Sequence, residues 1–131
     1  MSYVIPANTR IGHIHLKVSD LDKALAFYHD LLGFQIMQWY GKSAVFISAG
    51  GYHHHIRLNT WHRKNAAPAP VNACGLYHTA ILYPERKDLV IILKRLTEAN
   101  YRQFLYLPND IRHNNCFKKK KPSFKRMALA M

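Results

Sequence analysis

The chain of 131 residues fits one domain, and 49% hydrophobic residues with 12% aromatics are enough for a packed core. It has no apolar run near the ~18 residues of a membrane helix, no basic-then-apolar signal pattern, and two cysteines without CxxC spacing, so we expect a cytoplasmic protein without a disulfide framework or thiolate metal cage. The net charge of +12 is uneven, because residues 112–131 carry seven of the 19 Lys and Arg and no acid.

Residues 12–18 alternate in character, which predicts a strand with one apolar face and one polar face. The polar face carries His13, His15 and Lys17. Apolar residues then recur at helical spacing over about 20–32, with Ser19 as the expected N-cap and Gly33 as the expected end. This helix should cover the apolar face of the strand and leave the histidine face open.

Three further strands are expected at about 34–40, 43–49 and 52–59, joined by short glycine turns. Residues 11–59 thus form a complete βαβββ module. In a continuous strand over 52–59, alternate side chains point to the same side, which would join the face of His13 and His15, while His54 would point away. The side chains predicted on this side are His53, His55, Arg57 and Asn59.

Residues 60–74 are rich in Ala, Pro and Asn and indicate a linker to a second module at 75–111. This module repeats the strand-helix pattern at about 75–83 and 85–100, and His78 again lies early in the strand. Only 103–107 resembles a later strand. The predicted fold is α+β, with paired βαβββ modules of which the second is incomplete. Residues 1–111 form the domain, and 112–131 are expected to be a disordered basic tail.

Three segments resemble the vicinal oxygen chelate superfamily, which includes glyoxalases, bleomycin resistance proteins and extradiol dioxygenases. They are "IGHIHLKVSDLDKALAFYHDLLG", "AVFISAGGYHHHIRLNTW" and "GLYHTAILYP". The last two are similar to the catechol-2,3-dioxygenase-like branch, and the resemblance runs from about residue 10 to 101. It implies a cup of strands around a divalent metal that binds neighbouring oxygens of a small aromatic or planar substrate.

By this resemblance, His13 and His78 are metal ligands, one from each module, and Fe(II) is the expected metal, with Mn(II), Ni(II) or Zn(II) as alternatives. His55 is the candidate proton donor or acceptor. The residues expected to line the substrate site are His15, His53, Arg57 and Asn59. The spacing alone favours His13 and His15 as simple polar residues on a half-exposed sheet face.

The sequence departs from the dioxygenase pattern at its end. The DPDGN-type turn and the strand glutamate that supplies the third ligand are absent, and Asp110 is the one carboxylate near that region. We hypothesise that the segment after Tyr101 reflects a frameshifted or truncated module. A noncatalytic binding module and a glyoxalase-type lyase are the alternative functions, although Arg57 stands where such lyases have a glutamate. The exposed sheet edges of a short module favour a homodimer, whereas nucleic-acid binding by the tail is not expected.

Overall fold

The computed structural model describes residues 2–68, 70, 72–76, 78–101, 104–106 and 127–130, within two units that span Met1–Ala69 and Pro70–Met131. The first unit has the predicted βαβββ order. Its elements are β1 (Ile14–Lys17), α1 (Leu21–Leu25) continuing as a π-helix (Ala26–Leu31), β2 (Gln35–Tyr40), β3 (Ala44–Ser48) and β4 (Ile56–Asn59).

The four strands form one sheet in the order β1-β4-β3-β2. β2 and β4 each run antiparallel to β3, whereas β1 and β4 are parallel, which requires the long connection that contains α1. In the parallel pair, Ile14 lies opposite Ile56 and His15 lies opposite Arg57. The sheet thereby places two distant polar residues of the sequence side by side.

The core of the first unit lies between the helix and the apolar face of the sheet. Val45, Ile47 and Leu58 are completely buried on the strands, and Leu21 and Leu25 are buried on α1. Complete burial of such a side chain contributes about 1.5–3 kcal/mol. The predicted apolar stripe is confirmed by these residues and explains why the opposite face of the sheet remains accessible.

Different interactions cap the beginning and the end of the helix. Asp20 is the N-cap instead of Ser19, because its Oδ1 accepts a hydrogen bond from the backbone N of Lys23 at 3.0 Å. At the other end, Leu32 N donates to Phe27 O at 3.0 Å, and Gly33 has a φ of +86° that favours glycine. The predicted stop at Gly33 is confirmed.

β4 is half as long as the predicted strand at 52–59. Gly50 and Gly51 turn the chain after β3 with φ values of +65° and +76°, and residues 52–55 form a loop before β4 begins at Ile56. Alternation therefore holds for Arg57 and Asn59 but does not extend back through the histidines. This difference decides which histidines meet.

The second unit contains β5 (Ala80–Tyr83), α2 (Arg86–Glu98), β6 (Phe104–Tyr106) and β7 (Met127–Ala130). Its sheet has the order β5-β7-β6, with β7 antiparallel to both neighbours. Among the described residues this module has one strand fewer than the first, in agreement with an incomplete second module. Here the structure departs from the predicted tail, since Met127–Ala130 form hydrogen-bonded pairs with two strands, while 112–126 lie outside the described residues.

No helix in the described parts of the chain is both long enough and apolar enough to cross a membrane. The α+β fold of βαβββ type that the sequence predicts is confirmed. The apolar face of α2, formed by Leu89, Ile92 and Leu96, is buried as its spacing predicts.

Candidate functional site

The two faces of β1 differ as predicted. Ile14 and Leu16 are half-buried, whereas His15 and Lys17 are exposed, as is His13, which directly precedes the strand. Because the helix occupies the apolar side of the sheet, the histidine side is open to solvent. Any chemistry of these imidazoles is therefore accessible to a small molecule.

Three histidines converge at the beginning of this face. The ring of His54 lies 4.5 Å from the rings of both His13 and His53, measured between centroids, and the rings of His13 and His53 are 6.5 Å apart. One ring nitrogen from each residue lies within 4.8 Å of the other two. We refer to His13, His53 and His54 as the three-histidine cluster.

The backbone of His55 fixes the loop that carries two of these histidines. Its N–H donates to Ile47 O of β3 at 2.9 Å, and its carbonyl accepts from Ile14 N of β1 at 3.0 Å. The loop therefore ends at a residue hydrogen-bonded to both neighbouring strands. This anchor places the residues just before His55 beside His13.

The side chains of His54 and His55 have exchanged the positions that the sequence predicts. His54, expected to point away, lies against His13 and against the ring of Phe46 at 4.9 Å between centroids. His55, the candidate proton-transfer group, instead has its Nδ1 2.9 Å from Ser48 Oγ and 3.3 Å from Ala49 N. The expectation was wrong because alternation applies only within a strand, and both residues precede β4.

His54 is held in the neutral state needed for a ligand or a proton acceptor. Burial lowers its pKa below the ordinary 6.5, and the neighbouring His13 and His53 lower it further. At pH 7 the imidazole therefore has a free nitrogen lone pair. Such a nitrogen can bind a divalent metal or accept a proton from a substrate hydroxyl.

Asn59 of β4 forms a hydrogen-bond network on the same face, and its side chain is almost completely buried. Its Nδ2 donates to His15 Nε2 at 2.6 Å and to Leu16 O at 3.3 Å, and its Oδ1 accepts from Trp61 N at 2.9 Å. The two backbone contacts fix which end of the amide is the donor, so His15 Nε2 must be an acceptor. Burial and then the charge of Arg57 lower the pKa of His15, in agreement with this unprotonated nitrogen.

Arg57 lies between two aromatic rings on this face. Its guanidinium carbon is 4.8 Å from the ring centroid of Phe46 and 4.5 Å from that of Trp61. Neither aromatic residue was among the predicted site residues. Phe46 could have been predicted from strand alternation, which places its side chain on the other face of β3 from those of Val45 and Ile47. It pairs with Arg57 across β3 and β4.

A separate cavity of about 460 Å³ lies in the first unit, away from the histidines. It is lined by residues around the start of α1, the β2–β3 turn and the segment after β4. These are Ser19, Asp20, Leu21, Asp22, Trp39, Lys42, Ser43, Thr60, Lys64 and Asn65. None of the predicted site residues lines it, and it brings together no cluster of metal-binding nitrogens.

A family model described as the Glyoxalase/Bleomycin resistance protein/Dioxygenase superfamily matches residues 10–103. The chain belongs to this superfamily. The match spans the complete first module and most of the described part of the second, and the predicted family is confirmed.

Two known proteins are similar to this chain, one in sequence and one in fold. A Bacillus subtilis (strain 168) protein named catechol-2,3-dioxygenase is 52% identical over 98 residues, which cover 74% of this chain but only 34% of that protein. The chain thus spans about a third of this relative's length. The crystal structure of lactoylglutathione lyase from Agrobacterium tumefaciens matches with a TM-score of 0.52 at 20% identity, covering 79% of this chain and 81% of that one. This similarity concerns the fold.

Within this superfamily domain, the three-histidine cluster suits a divalent metal. Three imidazoles with ring nitrogens within 4.8 Å of one another can supply donors for Fe, Ni or Zn and leave further coordination positions open. His78, the ligand expected from the second module, is exposed and lies just before β5 in the second unit. Its pairing with His13 remains a prediction, and Asp110 lies outside the described residues.

Proposed function

We propose that this chain is a metal-dependent protein of the extradiol dioxygenase type, which cleaves the ring of a small aromatic diol. The observation that carries the proposal is the convergence of His13, His53 and His54 at the open face of a superfamily domain. The identity of 52% with a catechol-2,3-dioxygenase supports it, although only a third of that protein is covered. The substrate class and the reaction belong to the proposal.

The proposed ligands are His13 and His53, with His78 as the contribution of the second module. Fe(II) is the proposed metal, and Mn(II), Ni(II) and Zn(II) are the alternatives. When bound, the metal would supply the redox and Lewis-acid chemistry for dioxygen and for the two neighbouring oxygens of the substrate.

His54 is our candidate for the proton acceptor in place of His55. Its ring is neutral at pH 7, half-buried, and 4.5 Å from the ring of His13, so one of its nitrogens can take a proton from a substrate hydroxyl. His55 remains a candidate, but its Nδ1 faces Ser48 Oγ and Ala49 N. The predicted lining residues His15 and Arg57 lie on the same face and would contact the substrate ring or its substituents.

The test is the metal content and oxygen consumption of the full chain purified without oxygen. We expect stoichiometric Fe(II) and catechol-dependent oxygen uptake in the wild type, loss of metal in His13→Ala and His53→Ala, and retained metal with lost turnover in His54→Ala. His62→Asn is the matched control, because His62 has a φ of +57° that Asn tolerates. Wild-type protein without stoichiometric metal would contradict the proposal, as would catechol turnover that survives removal of the cluster.

A noncatalytic binding module is the second candidate. It is favoured by the composition of the three-histidine cluster, which includes no carboxylate from the described residues. Such a module would bind a planar ligand to saturation without consuming oxygen. Titration with catechol in an oxygen electrode separates the two functions.

We further propose a cytoplasmic location and a homodimer. The dimer is supported by the sheet of the first unit, in which β1 and β2 are the two outer strands. β2 carries Trp39 and Tyr40 with about half of their surfaces exposed. Sedimentation at two protein concentrations tests it, and a monomer at all concentrations would contradict it.

A further inference from the structure

Arg57 stands out on the open face because no carboxylate among the described residues of the first unit forms an ion pair with it. The guanidinium is half-buried between the rings of Phe46 and Trp61, and its Nε is fully buried without a hydrogen-bond partner. It is the one buried side-chain polar atom left unpaired in the described part of the chain. A partly desolvated cation of this kind is costly unless an anion accompanies it.

The acidic residues of the first unit lie elsewhere. Asp20 and Asp22 are at the start of α1 and line the separate cavity, and Asp30 is 3.8 Å from His29. The groups that act electrostatically on the neighbouring His15 are Arg57 itself, His13 and Lys17, and none of them is an anion that could compensate Arg57. Within the described part of the first unit no carboxylate accompanies Arg57, so the acidic group of a bound molecule can supply the anion.

The surroundings of Arg57 favour a carboxylate on an aromatic ring. The two aromatic faces hold the guanidinium plane in place, and its terminal nitrogens form a fork that matches the two oxygens of a carboxylate. The guanidinium carbon and the ring of His54 lie 4.8 Å and 4.9 Å from the centroid of the same Phe46 ring, so they are no more than about 10 Å apart. One substituted benzene ring can bridge such a separation.

We propose that Arg57 binds the carboxylate of the substrate, so that this site takes ring diols that carry an acidic group. The acid would lie at Arg57 and the two hydroxyls at the three-histidine cluster. This inference rests on the proposed function for the role of the hydroxyls, but the binding of the acidic group by Arg57 does not depend on catalysis.

The experiment compares two probes of nearly the same shape, 3,4-dihydroxybenzoate, which is an anion, and 3,4-dihydroxybenzamide, which is neutral. Their affinities for the full chain with its metal are measured by calorimetry without oxygen. A charge-assisted hydrogen bond predicts that the acid binds about ten- to a hundredfold more tightly than the amide. Arg57→Gln should abolish this preference, Arg57→Lys should retain part of it, and Arg63→Gln, at an exposed arginine outside the site, should leave it unchanged.

Equal affinities of the two probes in the wild type, or a preference that survives in Arg57→Gln, would overturn the inference. The comparison of the two probes in the wild type tests the inference even if Arg57→Gln fails to fold. A preference for the acid without oxygen consumption would support the carboxylate site at Arg57 and contradict the proposed dioxygenase function. Turnover of catechol equal to that of the acid, in both the wild type and Arg57→Lys, would support the dioxygenase function and contradict the carboxylate site at Arg57.

Discussion

Replacement of Asn59 by alanine tests whether this buried amide holds the open face together. The substitution removes the hydrogen bonds to His15 Nε2, Leu16 O and Trp61 N, at 2.6, 3.3 and 2.9 Å. Each such bond contributes roughly 0.5–1.5 kcal/mol net, so the free energy of unfolding should fall by about 2–4 kcal/mol. The loss should exceed that of a surface substitution because two of the partners are backbone groups.

Urea denaturation followed by tryptophan fluorescence is the assay, since both tryptophans, Trp39 and Trp61, belong to the first unit. Gln38→Ala, at an exposed position of β2, is the control and should change stability by less than about 0.5 kcal/mol. Asn59→Asp should also lose stability, because its Oδ1 still accepts from Trp61 N but its second oxygen faces the acceptor Leu16 O in a buried position. An Asn59→Ala variant as stable as the control would refute the proposed network.

Three further outcomes follow from the same structure. In metal-free protein, NMR titration should give His54 and His15 pKa values below 6.5. Arg57→Gln should raise the pKa of His15, because a nearby cation no longer opposes its protonation. An unchanged pKa of His15 in this variant would exclude an influence of Arg57. Gly33→Ala should cost about 1 kcal/mol through its φ of +86° alone, since an added Cβ meets no atom within 4 Å; an unaltered urea midpoint would contradict this. Leu58→Ala should cost about 2–5 kcal/mol in the same assay, and a smaller loss would mean that the core closes around the deleted side chain.

The fold was predictable wherever a local pattern repeats over several residues. Strand alternation gave the two faces of β1, and helical spacing gave the buried stripe that includes Leu21 and Leu25. Both signals arise from the geometry of a single element and do not depend on distant contacts. The cap was assigned one residue early because Ser19 and Asp20 are both suitable residues, and the choice depends on which side chain reaches Lys23 N.

The site was less predictable because it depends on where alternation stops. Treating 52–59 as one strand put His55 beside His13, whereas the glycine turn delays β4 to Ile56 and brings His54 there. The number of loop residues between a turn and a ladder is not encoded in periodicity. Strand alternation could have placed Phe46 on the open face, but the contacts of Phe46 and Trp61 with Arg57 depend on strand pairing and on the path after β4, which only the tertiary structure supplies.

The charges of the open face restrict what it can bind, whichever of the proposed functions is correct. The described face presents the three-histidine cluster and the cation of Arg57, and no carboxylate among the described residues of the first unit lies beside that cation. A divalent metal at the cluster would add two more positive charges to a surface that is partly screened from water. Because like charges that lie close together repel, an anionic ligand between the metal and Arg57 would stabilise both. A diol that loses hydroxyl protons at the metal and keeps a carboxylate at Arg57 supplies negative charge at both ends of one ring.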